Sequence, residues 1–286
     1  MTSPRILFFG TPDFAVPALK ALHESGHSII GVITQPDQPV GRKKILTPPP
    51  IKTIAQQYHL PVFQPVTLKD DAFFTTYKDL RPDLCIVIAY GNLIPQRYLD
   101  VPHHGYLNVH PSLLPHYRGP SPVQTAIRNG DTETGVSIML LDAQMDHGPV
   151  LSTQTYTLPT DAYYPEIKKE LATMGARLLS NRLSQWIAGE ITPTPQDDTR
   201  ATFCALITRA DGRIAWNNPA GHIYNHIRAL ASEPGTWTTW HGTTLAIHQA
   251  QPTQTPSPET PGTVIVQGNF VDVATSTCYL RLTQIQ

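Results

Sequence analysis

Asn108 and His110 stand two residues apart in Asn108-Val109-His110-Pro111-Ser112-Leu113-Leu114-Pro115, just after one apolar run, and Asp146 follows another. On an extended segment, residues i and i+2 project from the same face. A fixed Asn amide is a suitable oxyanion donor, and a neutral imidazole is a suitable base. A carboxylate from a second loop orients or charges such an imidazole. Together the three residue types move a proton and hold an oxyanion without a metal or a covalent nucleophile. The same types also serve structure alone, the amide bonding backbone and the imidazole closing a loop. Prolines at 111 and 115 stiffen the chain that follows.

The elements that must position them are readable as periodic runs. The apolar run at residues 5–9, closed by Gly10, reads as a buried strand, residues 14–25 as a helix and residues 29–33 as the next strand. Residues 84–89 form a continuous apolar run, as in a parallel strand covered on both faces. Further strands are expected at 61–63, 105–109 and 136–141, and helices at 52–58, 122–129 and 164–187. Alternation of strand and helix predicts an α/β fold with an open, mostly parallel, Rossmann-like sheet. Ligands of such sheets bind at the carboxyl ends of the strands, where Asn108, His110 and Asp146 are all expected to lie. Residues 1–189 read as the catalytic domain and the polar, proline-bearing stretch at 190–208 as a linker. Residues 209–286 read as a smaller, β-barrel-like C-terminal domain, with a helix at 220–231 and an exposed loop at 251–261.

Composition excludes several classes. The chain has 286 residues, 40% hydrophobic and 15% charged, with 28 prolines and a net charge of −1. That length holds one large domain or two smaller ones, and the near-zero charge confines any nucleic-acid surface to a local patch. Cys85, Cys204 and Cys278 form no CxxC pair and read as free thiols of a reducing compartment. The apolar part of MTSPRILFFG is too short for a signal peptide, and no run reaches membrane-spanning length. A cytoplasmic protein without a membrane partner is expected. His103, His104, His110, His116 and His147 lack HExxH spacing and zinc-type cysteines, so no metal is expected. Gly10 opens no G-x-G-x-x-G, no P-loop is present, and Ser121 between two prolines is not a nucleophile elbow.

The run NVHPSLLPHYRGPSPVQTAI, with LDAQMDHGPVL behind it, resembles the formyltransferases that use 10-formyltetrahydrofolate. The similarity is specific over residues 84–151 and weaker over almost the whole chain. The resemblance implies a catalytic set of Asn108, His110 and Asp146, with Gly148 in its place beside Asp146. It implies that Ser112, Leu113, Leu114 and Pro115 border the folate, and that Tyr90 and Gly91 open a loop walling the pteridine pocket. Within the family the chain is most similar to the branch acting on methionyl-tRNA(fMet). There a basic loop after the second strand enters the acceptor end of the tRNA, which implies phosphate contacts for Arg42, Lys43 and Lys44. Taken alone, those three residues are also an ordinary solvated charge run. Phe63-Gln64-Pro65 and the segment DGRIAW at 211–216 match the same branch.

Departures from the family pattern concern tRNA more than chemistry. The loop reads GRKK without the glycine that often parts arginine from lysine, and His116-Tyr117 stands where an arginine and an aromatic residue are usual. An acidic residue is common where Ala215 stands. The C-terminal segment is nearly neutral, and the sequence given ends before the family's usual tail. The resemblance implies a monomer that formylates methionyl-tRNA for translation initiation. The alternatives within the fold are a sugar-nucleotide N-formyltransferase and a formyltetrahydrofolate hydrolase. A non-catalytic folate- or tRNA-binding protein would have no need of the intact trio.

Overall fold

A computed structural model describes residues 3–41 and 43–286. In chain order the strands are β1 (Ile6–Gly10), β2 (Ile29–Ile33), β3 (Gln38–Val40), β4 (Ile45–Thr47), β5 (Val62–Phe63), β6 (Leu84–Ile88), β7 (Tyr106–His110), β8 (Glu133–Leu140) and β9 (Val150–Thr157). They are followed by β10 (Thr236–Trp240), β11 (Thr243–Pro256), β12 (Val264–Gln267), β13 (Phe270–Val273) and β14 (Cys278–Ile285). The helices are α1 (Val16–Glu24), α2 (Pro50–Gln57), α3 (Asp71–Asp79), α4 (Gln96–Leu99), α5 (Pro122–Asn129), α6 (Tyr164–Ile187) and α7 (Ala220–Leu230). The chain divides into two compact units. One comprises Met1–Arg118, Gly135–Thr155 and Lys169–Thr202, and the other Gly119–Thr134, Tyr156–Lys168 and Phe203–Gln286.

The first unit is built on a sheet of order β5-β2-β1-β6-β7-β8-β9. β1 pairs in parallel with β2 and β6, β2 with β5, and β6 with β7, whereas β8 runs antiparallel to β7. The expected α/β architecture with a mostly parallel sheet is therefore present. Every residue of β1 and of β6 is buried, which is why both strands read as unbroken apolar runs. Each such Leu, Ile or Phe contributes about 1.5–3 kcal/mol on burial. Gly10 permits a close approach at the carboxyl end of β1. A Cβ there would lie 2.9 Å from the Ala15 Cβ and 3.2 Å from the Ile88 carbonyl.

On one side of this sheet Tyr77, Cys85, Tyr98 and Tyr106 are fully or almost fully buried, and the Tyr77 and Tyr106 hydroxyls lie 2.6 Å apart. Burial pushes the Cys85 thiol up to about 12. It is therefore an inert core group, since the thiolate is the reactive form.

The second unit holds a five-stranded antiparallel sheet of order β10-β11-β14-β13-β12, covered by α7 through Ile223 and Ile227. One difference from the sequence reading lies at residues 251–256. They continue β11 as a strand instead of opening the expected loop. β10 accompanies β11 only as far as Ile247, so beyond it one side of β11 needs no ladder donor and Pro252 is tolerated opposite Leu280.

Residues 190–208 also differ from a free linker. Val150 and Thr194 exchange backbone hydrogen bonds of 2.8 Å in both directions, and Thr202 accepts from the Arg118 N–H at 2.9 Å and donates to the Pro115 carbonyl at 3.2 Å. The last of the chain's crossings from the first unit to the second falls at 202/203, inside this segment. Proline and polar residues deny it an α-helix or a long strand, but specific partners hold its part up to Thr202 on the first unit.

Candidate active site

The three candidate residues meet within the first unit. Asn108 and His110 are on β7, in the interior of the sheet between β6 and β8, and are 8% and 5% exposed. The Asp146 carboxylate oxygen Oδ1 lies 3.5 Å from Asn108 Nδ2 and 3.6 Å from His110 Nδ1. The other imidazole nitrogen, Nε2, is 3.0 Å from the Tyr117 carbonyl. A carbonyl can only accept, so that contact assigns the proton to Nε2 in the neutral ring. Nδ1 is then the basic nitrogen, and it is the one that faces Asp146. Tyr117 holds its carbonyl there from a positive φ of 57°.

Asp146 arrives by a route different from the expected one. Because β8 is antiparallel, its carboxyl end lies beside the amino end of β7, with Leu140 opposite Leu107. The loop after β8 has to turn back to reach Asn108 and His110. It is closed by Leu140 N–H donating to the Pro149 carbonyl at 2.9 Å. Gly148 makes the fold-back sterically possible, since a Cβ there would sit 1.9 Å from the Leu140 carbonyl oxygen. Asp146 itself has φ 50°, a region that residues bearing a Cβ rarely adopt.

Gln196, outside the sequence motif, and Arg118, within it, hold this loop. Gln196 Nε2 donates to the Asp146 and Gly148 carbonyls, each at 2.8 Å. Arg118, 4% exposed, donates from Nε to Gln196 Oε1 at 3.0 Å and from a terminal nitrogen to Asp198 Oδ1 at 2.7 Å. His147 Nδ1 lies 2.6 Å from Asp142 Oδ2, and its Nε2 is 3.4 Å from Asp198 Oδ2. The Asp142 hydrogen bond raises the His147 pKa above its ordinary 6.5. A raised folded-state pKa gives stabilisation that is complete below the unfolded value and is lost as pH rises through the folded one. The imidazolium bridge across the loop should therefore weaken on alkalinisation. A titration of His147 by NMR is expected to show a midpoint above 6.5, falling toward the ordinary value in Asp142→Asn. A wild-type midpoint at or below 6.5 would remove this tether.

The residues expected to border a folate divide into two groups. The Tyr90 ring is 2% exposed and packs edge-on to Phe9 in the core, while its carbonyl accepts from Thr11 Oγ1 and Gln35 Nε2. Ser112 is fully buried, with its hydroxyl donating to the His116 carbonyl at 2.6 Å. Leu114 is 9% exposed and its N–H is held by Ser137 Oγ at 3.1 Å. All three side chains are therefore buried, and of them Ser112 ties its loop through its own hydroxyl. Gly91, with φ 87°, is exposed, and Leu113 and Pro115 are half-buried.

Among the tRNA candidates, Lys43 and Lys44 are exposed at the turn between β3 and β4, and Arg42 lies outside the described residues. The flanks of this hairpin expose Val40, Ile45 and Leu46 at 55–65%. Its root is anchored by Asp37, which accepts from Lys52 Nζ at 2.8 Å and Gln64 Nε2 at 2.7 Å. In the second unit, Arg281 is paired with Asp272 and Arg228 is buried on the Ala162 carbonyl. Arg128, Arg209 and Arg213 are exposed there. Arg128, Arg213 and His222 line a cavity of about 370 Å³ in that unit. Arg128 reaches this cavity from α5, outside the C-terminal segment.

No group of three or more His, Cys, Asp or Glu among the described residues is arranged to hold a metal ion. No helix among them is long and apolar enough to cross a membrane.

Comparison with known proteins matches both the N-terminal and the C-terminal parts of the chain. Residues 4–183 match the family described as formyl transferase, and residues 206–286 match the formyl transferase C-terminal domain. The chain is 48% identical over 261 residues to a methionyl-tRNA formyltransferase of Chloroflexus aurantiacus, covering 91% of this chain and 84% of that relative. It is 40% identical over 284 residues to the methionyl-tRNA formyltransferase of Halalkalibacterium halodurans, covering 99% and 90%. Among solved structures, an N-formyltransferase of Helicobacter canadensis, with folinic acid and dTDP-3-aminofucose, superposes with a TM-score of 0.73 at 16% identity. That comparison covers 99% of this chain and all of the other, and it shows the shared fold.

Proposed function

This chain belongs to the formyl transferase family, and from that premise we propose that it transfers a formyl group from 10-formyltetrahydrofolate to the α-amino group of methionyl-tRNA(fMet). The observation that carries the reaction is the meeting of the Asn108 amide, the His110 imidazole and the Asp146 carboxylate within 3.6 Å. The choice of acceptor rests on relatives of 40–48% identity that are methionyl-tRNA formyltransferases.

Attack of the neutral amine on the formyl carbon forms one C–N bond and places negative charge on the formyl oxygen. The Asn108 Nδ2–H donates to that oxygen from a rigid interior strand. His110 Nδ1 accepts the proton that the amine loses, and the resulting imidazolium is stabilised by Asp146 beside it. Return of a proton from His110 to the folate nitrogen allows the second C–N bond to break. The imidazole ends neutral, ready for the next turnover. Gly91, Leu113 and Pro115 border the folate ring in this reading. The tRNA is held by the β3–β4 hairpin, with Arg42, Lys43 and Lys44 on phosphates, and by the Arg128–Arg213 cavity of the second unit.

The test is a formyl-transfer assay offering methionyl-tRNA, an amino-sugar nucleotide, or water alone. Transfer to methionyl-tRNA is expected, and exclusive use of either other acceptor would overturn the assignment. The hairpin is tested in the same assay. Replacing Arg42, Lys43 and Lys44 by alanine should raise KM for the tRNA and leave the folate KM unchanged. The dependence of log KM on log salt should flatten by roughly 0.7–0.9 for each phosphate contact removed. An unchanged salt slope would make the cluster a solvated face only.

A further inference from the structure

The position of Asp146 depends on a residue that contributes nothing to the reacting atoms. A primary amide has two N–H donors and one carbonyl acceptor. In Gln196 both donor contacts go to one loop, to the Asp146 and Gly148 carbonyls at 2.8 Å each. The acceptor is taken by Arg118 Nε at 3.0 Å, and that contact fixes which way the amide faces. Arg118 is itself nearly inaccessible and is tied to Asp198 at 2.7 Å. The hydrogen-bonding capacity of the Gln196 amide is thus matched group by group.

The loop it grips would not hold this shape by local preference. Asp146 has φ 50°, and Gly148 is pressed against the end of β8. Released from the two carbonyl contacts, Asp146 would relax toward negative φ and swing its carboxylate. The contacts at stake, 3.5 Å to Asn108 and 3.6 Å to His110, are already long enough that a shift of about 1 Å would abolish them. Displacements of that size at a reacting group cost roughly 10²-fold in rate.

We propose that Gln196, oriented by Arg118, is a positioning residue that holds Asp146 in register with His110 and Asn108. The inference rests on the formyl-transfer reading for its kinetic consequences and on the loop geometry alone for its structural one.

Gln196→Met keeps the volume and removes both donors. Gln196→Glu keeps the shape but turns oxygen toward two carbonyls. Both are expected to lower kcat by roughly 10–10²-fold, with little change in KM for either substrate. In an Asp146→Ala background, Gln196→Met is expected to cost no further rate, because the group it positions is gone. Amide hydrogen exchange at residues 146–148 should speed up in Gln196→Met while exchange in β7 stays as in wild type. An unchanged kcat in Gln196→Met, or an undiminished loss in the Asp146→Ala background, would overturn the proposal. So would unchanged exchange at 146–148, whether or not formyl transfer is the reaction. If wild type transferred formyl to no acceptor, the reaction assignment would fail and the exchange measurement would still decide the clamp.

Discussion

Asn108→Ala is expected to lower single-turnover formyl transfer by roughly 10²–10³-fold, about 2.7–4 kcal/mol of transition-state stabilisation, as for loss of one oxyanion donor. The size follows from where the amide sits. β7 is an interior strand whose neighbours fix it on both sides, Val87 and Met139 lying opposite Asn108. A donor on such a strand needs no reorganisation as charge develops, which is the condition for a large effect. Its contact to Asp146 at 3.5 Å is long, so the N–H is not committed to a strong bond before the oxyanion forms. Folate affinity should change little, because the donor acts on charge that exists only in transit. Asn108→Asp separates donor from volume. It retains the shape, loses both N–H groups and sets a second carboxylate beside Asp146, so it should be at least as damaging as alanine. Near-normal turnover in either variant would take Asn108 out of the reaction.

What could be read from the sequence was the part encoded by residue type over short distances. β1, β2 and β6 are continuous apolar runs, and α5 and α6 have the bounds that their periodicity gave. β9 gives no strand signal, because Ser152–Thr157 lies largely exposed and carries no apolar alternation. α3 is capped by Asp70 through the Ala72 and Phe73 N–H groups, but the threonines in it mask its helical signal. The trio was legible for the same local reason, two of its members being two residues apart. Its supports were not. A backbone carbonyl such as that of Tyr117 has no residue signature. Gln196 lies 50 residues from Asp146 and 78 from Arg118, in a stretch whose composition says only that it is not a helix. The direction of β8 was also hidden. Periodicity identifies a strand but not its orientation, and that orientation decides which way Asp146 must travel.

His110→Ala should cost roughly 10²–10⁴-fold in turnover, the range of a general base. Asp146→Ala should cost nearly as much, and the double variant little more than the worse single one. The geometry supplies the reason for the coupling. With Nε2–H committed to the Tyr117 carbonyl, only Nδ1 can take a proton, and Asp146 Oδ1 is 3.6 Å from that atom. Once Nδ1 is protonated, the pair becomes an imidazolium against a carboxylate in a site where the His110 side chain is 6% and the Asp146 side chain 14% exposed. The attraction there is far stronger than in water. Without Asp146, the imidazole keeps its tautomer but loses the charge that favours its protonated form. Without His110, the carboxylate has no imidazolium to stabilise. Each residue thus does its work through the other, and removing one leaves little for the second to lose. The measurement is a cycle of His110→Ala, Asp146→Ala and the double variant, under single turnover at saturating folate and tRNA. Losses should fall on the chemical step, because neither residue holds the bulk of a substrate. Fully multiplicative losses would reject the pair. They would assign Asp146 to its other neighbour, as the group that holds the Asn108 amide in place.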